Sequence, residues 1–301
     1  MSATSSSGRV TVQDIARMHA DGQRIAMLTA YDYPTARILD DAGLPMLLVG
    51  DSLGEVMLGY ESTVRVSMDE MLHHVKAVVR GTQRALVVGD MPFLSYEQPD
   101  QAVENAGRFL REAGAQAVKV EGGVRTARAI EAIVRAGIPV MGHIGWTPQA
   151  RLGMGRVRVQ GKTREAAQRL MSDAVAVQAA GAFAIVLELV PEQLAAAITA
   201  RLHIPTIGIG AGAGCSGQVQ VVTDLLGLGS FVPRHARPYA HLRETIADAA
   251  RAYAADVAAG TFPGEAEATR MDDSVLAEAL GQGELDRPGT GSFLIPLDRD
   301  L

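Results

Sequence analysis

Apolar and polar positions alternate along this chain in two rhythms. Short runs of Val, Ile and Leu without polar interruption recur between longer stretches whose apolar residues return with the helical period. Uninterrupted runs of this kind predict strands of a parallel sheet covered on both faces. They fall at 25–30, 46–51, 85–90, 117–121, 139–144, 183–188 and 206–209, with a weak eighth near 229–232. A short amphipathic helix is predicted at 11–20, and helices between the strands near 34–43, 69–83, 100–113, 125–136, 163–180 and 191–201. Gly43, Gly81, Gly114, Gly137 and Gly181 are each placed to close a helix just before the next strand. Such regular alternation over this length predicts a (β/α)8, or TIM, barrel. The competing reading is an open doubly wound sheet.

Four of the runs end on an acid: MLLVG-Asp51, ALVVG-Asp90, AVKV-Glu121 and FAIVL-Glu188. A carboxylate there sits at the mouth of the sheet, where α/β proteins place their chemistry. A closed ring gathers such endings, whereas an open sheet strings them out in a line. The endings therefore favour the barrel and predict one acidic cluster suited to a bound metal ion.

Composition narrows the function classes. The chain has 301 residues, 48% of them hydrophobic and only 4% aromatic, so its core is aliphatic. A net charge of −6 argues against nucleic acid or an anionic membrane as partner. No apolar stretch approaches the length of a bilayer span, and MSATSSSGRV lacks the apolar core of a secretory signal. Cys215 stands alone, which excludes an internal disulfide and a thiolate metal cage. A soluble, cytoplasmic protein is expected. Residues 1–10 are expected to be disordered, 11–264 to form a single barrel domain, and 265–301 to be a tail, flexible or docked on a neighbouring subunit. The Ala-rich stretch 241–259 predicts a helix packed outside the barrel, and SVLAEAL a short helix within the tail.

Individual residues suggest the chemistry. Asp51 and Asp90 each follow a Val-Gly step, and Gly50 and Gly89 leave room for an approach to the backbone. Two carboxylates with open positions beside them suit Mg²⁺, which prefers oxygen ligands and retains exchangeable waters; each alone could equally cap a turn. Lys119 and Glu121 lie two apart on one strand and share a face, where a buried lysine needs a partner. His143 ends the fifth run between glycines, as either a structural or a substrate-contacting imidazole. Glu188 has apolar neighbours on both sides, which would desolvate it and raise its proton affinity toward that of a general base. The Gly208–Gly212 stretch resembles a phosphate-cradling turn. Trp146 reads as a lid, a packing residue or a stacking platform.

TAYDYPTA (29–36), LLVGDSLG (47–54), VVGDMPFLSY (87–96), VKVEGG (118–123), GHIGWTPQ (142–149), VLELVP (186–191) and IGIGAG (207–212) occur in this order. From about residue 8 to 264 the chain resembles the 3-methyl-2-oxobutanoate (ketopantoate) hydroxymethyltransferases. The resemblance implies a barrel of the phosphoenolpyruvate/pyruvate type assembled as a homo-oligomer, usually a decamer. It implies transfer of a hydroxymethyl unit from 5,10-methylenetetrahydrofolate to 3-methyl-2-oxobutanoate, giving 2-dehydropantoate through a Mg²⁺-stabilised enolate, the first committed step of pantothenate synthesis. By motif matching, Asp51 and Asp90 correspond to direct Mg²⁺ ligands and Glu121 to a carboxylate near the metal, acting through water. Ser52, Lys119 and His143 match substrate-contacting positions, Tyr31 lines the substrate pocket, and Glu188 matches the general base. Segment 150–158, ARLGMGRVR, departs from the family's usual Ser-Val-Asn and Gly-Gly pattern, and the tail beyond Gly264 has no counterpart in shorter members. Two rival readings share these residues: another metal-dependent keto-acid lyase or aldolase, and a non-catalytic barrel using its tail for binding.

Overall fold

The structure, a computed structural model, describes residues 8–280. Eight parallel strands close into a barrel in chain order. They are β1 (Ile25–Thr29), β2 (Met46–Val49), β3 (Leu86–Asp90), β4 (Ala117–Glu121), β5 (Val140–Gly145), β6 (Ala184–Glu188), β7 (Thr206–Ile209) and β8 (Gly217–Gln220). The ring is sealed where Ile25 of β1 pairs with Gly217 of β8. Helices Tyr33–Asp41, Met68–Gly81, Pro99–Arg111, Ala127–Arg135, Arg164–Ala179 and Glu192–Arg201 follow the first six strands in turn. Ser67 starts the second of these with a capping box closed by Glu70. The closed ring is the expected barrel, and the open sheet is excluded.

Strand parity divides the core in two. Side chains at alternate positions face inward, so Ile25, Met27, Met46, Leu48, Leu86, Val88, Ala117, Met141, Ala184, Val186, Ile207 and Val219 fill the barrel's interior. Ile15, from helix Val12–Ala20, packs with them and is fully buried. The other parity, including Leu47, Val87, Val118, Val140, Ile185 and Leu187, meets the surrounding helices. Continuing the inward parity by one step leads from Val88 to Asp90, from Ala117 to Lys119 and Glu121, from Met141 to His143 and from Val186 to Glu188. The polar layer therefore rests directly on the apolar plug.

Three expectations change. The eighth strand is Gly217–Gln220, upstream of the 229–232 segment. Its outward side chains are glutamines held by loops rather than aliphatics held by a helix: the Gln218 amide donates to Gly212 O, and Gln220 exchanges hydrogen bonds with the backbone of Arg237. This polarity hides it from a hydrophobicity reading. Gly81 ends its helix without a positive φ; a Cβ there would come within 2.6 Å of Tyr33 O, so close packing is its role. At the start of the chain, where disorder was expected through residue 10, Arg9 donates to the carbonyls of Thr82 and Ala85, and Val10 N–H to Arg84 O.

The chain divides into two compact units, 1–243 and 244–301, earlier than the boundary expected at 264. Helix Leu242–Ala259 crosses the division, and helix Asp273–Leu280 within the second unit matches SVLAEAL. The expected tail from 281 onward lies outside the described residues. Among the described residues no helix is long and apolar enough to cross a membrane.

Asp40 ties a helix end to the entry of β3. Its buried carboxylate accepts N–H bonds from Gln83, Arg84 and Ala85, the last at 2.6 Å. Burial alone would raise its pKa, but these backbone donors outweigh it and hold the group below its ordinary value of 3.8. Its stabilising contribution is thus fully present above that value and is lost as pH falls through the depressed folded one. Asp40→Ala is expected to cost about 1–3 kcal/mol at neutral pH in denaturant unfolding, with a smaller loss as the pH approaches 3.

Candidate active site

Register brings the polar residues side by side around the C-terminal mouth. Asp90 is paired with Lys119, Glu121 with His143, and Gly145 with Glu188. Asp51 lies just beyond β2, and its backbone N–H donates to Asp90 Oδ2 at 3.1 Å. Gly50 makes this turn possible, since a Cβ there would sit 2.8 Å from the Ser52 hydroxyl. The room at Gly89 serves another purpose: a Cβ would meet the Phe109 ring at 2.4 Å, so that glycine admits a helix side chain rather than a ligand.

A continuous ionic chain results. Lys119 Nζ lies 2.7 Å from Asp90 Oδ1 and 3.7 Å from Glu121 Oε1. His143 bridges two carboxylates, with Nδ1 3.2 Å from Glu121 Oε1 and Nε2 3.2 Å from Glu188 Oε2. Asp51, Asp90, Lys119, Glu121 and His143 are all at most 4% exposed, while the Glu188 side chain retains 17%. Glu188 was expected among apolar flanks, but Leu187 points outward into the helix layer, so the carboxylate meets an imidazole instead. Leu189, immediately after it, holds a left-handed φ of 49° unusual for a β-carbon-bearing residue.

The electrostatics follow from crowding. Burial, then the charges of Asp90 and Glu121, push the Asp51 carboxyl well above its ordinary range; burial does the same for Asp90, only partly offset by Lys119. Burial opposes the charge on His143, as does Lys119, but Glu121 and the hydrogen bonds to both glutamates lift it to about 9. Lys119 is lifted as well, the three carboxylates around it outweighing its burial. Glu121 is buried, yet the His143 charge leaves it below its usual value.

Three buried carboxylates thus face one ammonium and one imidazolium, leaving a negative excess. Asp90 Oδ1 approaches Lys119 without an aligned hydrogen bond. Two adjoining buried Asp carboxyls with raised proton affinity suit a divalent cation. Glu121, expected near the ion through water rather than as a direct ligand, is turned toward its protein neighbours. Glu121 is taken by His143, Lys119 and the Gln149 backbone N–H, and among the described residues no three His, Cys, Asp or Glu are arranged to hold an ion. Asp51 and Asp90 remain as two carboxylates that could hold an ion whose shell is completed by water and substrate.

The cluster forms the floor of a cavity of about 750 Å³. Ser52 lines it, with its hydroxyl 2.9 Å from the buried Tyr31 hydroxyl, and His74 Nδ1 lies 2.6 Å from the Tyr31 carbonyl. Trp146 forms part of the wall, its backbone N–H donating to Glu188 O. In the atypical 150–158 segment, Arg151 pairs with Glu55 at 3.1 Å. The Gly208–Gly212 turn is packed against the Glu192 side chain, an acidic neighbour that does not suit a phosphate.

Sequence reasoning missed Gln149. Its amide N–H₂ donates to Asp51 Oδ2 at 2.9 Å and to Met91 O at 3.0 Å, its backbone N–H donates to Glu121, and its carbonyl accepts from Tyr96. Only the polar tail of GHIGWTPQ hinted at it. Gln149→Leu is expected to leave Asp51 without this donor and to lower stability by about 1–3 kcal/mol in denaturant unfolding.

Comparison with known proteins places this arrangement. The ketopantoate hydroxymethyltransferase family model matches residues 9–265. A 3-methyl-2-oxobutanoate hydroxymethyltransferase from Chloroflexus aurantiacus is 64% identical over 91% of this chain and 97% of its own length. One from Gluconacetobacter diazotrophicus is 54% identical over 90% and 99%. In fold, the chain is similar to a phosphonopyruvate hydrolase solved with oxalate and Mg²⁺ (TM-score 0.56, 13% identity, covering 89% of this chain and 95% of that one). It is likewise similar to 2,3-dimethylmalate lyase, of the PEP mutase/isocitrate lyase superfamily (TM-score 0.55, 17% identity, 89% and 98%).

Proposed function

The chain belongs to the ketopantoate hydroxymethyltransferase family, and on that premise we propose how its residues divide the work. The enzyme transfers a hydroxymethyl group to 3-methyl-2-oxobutanoate. In our reading the one-carbon unit comes from 5,10-methylenetetrahydrofolate, the product is 2-dehydropantoate, and the reaction opens pantothenate synthesis in the cytoplasm of the cell. A homo-oligomer, with the decamer as the expected form, belongs to the same reading.

Asp51 and Asp90 would hold Mg²⁺, with Glu121 acting through water. The observation that carries this is the adjoining of the two buried carboxyls at the cavity floor, tied by the Asp51 N–H to Asp90 Oδ2 and crowded enough to raise both proton affinities. When bound, Mg²⁺ supplies a Lewis acid that withdraws charge from the keto acid's oxygens and so acidifies its C3–H. Lys119 and the His143 imidazolium place two further positive charges beside the substrate carboxylate in a water-poor floor, where their fields are strong. Glu188 stands above them at the mouth with part of its side chain exposed, and takes the C3 proton. The His143 ion pair and the turn at Leu189 fix its direction. Ser52 lines the substrate pocket, and the buried Tyr31, expected to line it too, instead braces the Ser52 hydroxyl from behind at 2.9 Å. The C3 carbanion then attacks the donor's methylene as one of its two C–N bonds opens; water displaces the remaining folate nitrogen, supplying the hydroxyl oxygen, and tetrahydrofolate leaves with both nitrogens protonated.

Two sets of variants test these roles. Glu188→Gln is expected to bind metal and keto acid, yet to slow deuterium exchange at C3 by about 100-fold or more; full-rate exchange by NMR removes Glu188 as the base. Asp51→Ala and Asp90→Ala are expected to lose the Mg²⁺ titration seen by calorimetry together with activity. A variant still activated by the metal would put the ion elsewhere.

A further inference from the structure

The ionic cluster draws on the mouths of β2 to β6, while those of β7, β8 and β1 contribute no charged side chain to it. That arc of the cavity wall is made by Thr29, Ile209, Val219 and Val221, and by one acid, Asp224. Asp224 lies on the single helical turn Val222–Leu225 after β8, and Val222 N–H anchors the turn to Thr29 Oγ1 at 2.9 Å. Its carboxylate is half-buried against the cavity, yet among the described residues it accepts no hydrogen bond and enters no ion pair. Burial pushes its proton affinity up, and the nearby His235 only partly offsets this. The catalytic scheme makes no use of it.

A carboxylate held partly out of water without a donor is costly unless a ligand supplies one. The folate donor has that chemistry. Its pterin head presents adjacent N–H groups, on N3 and the 2-amino nitrogen, spaced to meet two carboxylate oxygens, and its other end carries glutamate carboxylates. Arg158 and Arg234 line the same cavity at exposed positions, and neither guanidinium is ion-paired among the described residues. We propose that Asp224 seats the one-carbon donor by accepting the pterin's paired N–H groups, with the glutamate end lying toward Arg158 and Arg234. This inference rests on the folate-dependent reading above.

Steady-state kinetics of Asp224→Asn with Mg²⁺ provides the test. The KM for 5,10-methylenetetrahydrofolate is expected to rise about tenfold or more, because the amide offers only one acceptor and turns a donor toward the ligand. The KM for the keto acid and the C3 exchange rate, which need no donor, are expected to move by less than about twofold, which also reports an intact fold. Asp224→Glu should recover part of the donor affinity. An unchanged donor KM, or a parallel rise in both KM values, would overturn the proposal. Wild-type protein that transfers nothing from the folate would overturn the functional reading itself, before any variant is made.

Discussion

The structure depends on keeping several ionised groups together in a place with almost no water. Asp51, Asp90 and Glu121 are nearly inaccessible, and only Lys119 and His143 oppose them. Charges of one sign at hydrogen-bonding distances in such surroundings repel strongly unless counter-charges are threaded between them. Strand register does the threading: acid and base alternate across the ladder, Asp90 beside Lys119 and Glu121 beside His143. The excess of negative charge that survives gives the site an appetite for a cation.

Rigidity beneath the cluster comes from the apolar plug. Asp90, Lys119, His143 and Glu188 are each the next inward position after a buried apolar residue of the plug. A branched aliphatic layer cannot shift to relieve repulsion above it without opening voids. The cost of holding like charges together is met by the barrel's core, far from the chemistry. Gln149 supplies the lateral brace: its side-chain amide links the segments after β2 and β3, and its backbone N–H holds Glu121 at the end of β4.

Much of this was legible in the chain. Four acids at the ends of apolar runs pointed to both the closed ring and the candidate site, since strand parity carries Asp90, Glu121 and Glu188 to the mouth and the turn at Gly50 brings Asp51 beside them. Other parts depend on contacts that no local pattern encodes. β8 went unseen at 217–220 because its outward face is polar and loop-held. Gln149 is a loop residue whose partners lie 28 to 98 positions away. Glu188 looked desolvated by its sequence neighbours, although alternate strand residues face opposite ways and its true neighbour is His143. The Glu121 oxygens point to other partners than an ion, a matter of side-chain geometry rather than of residue type.

The N-terminal helix has a consequence for traffic. With Ile15 packed among the inward apolar side chains, the described residues plug the lower end of the barrel. Anything that reaches the floor must pass the rim, and a bulky second molecule settling there would trap whatever lies below.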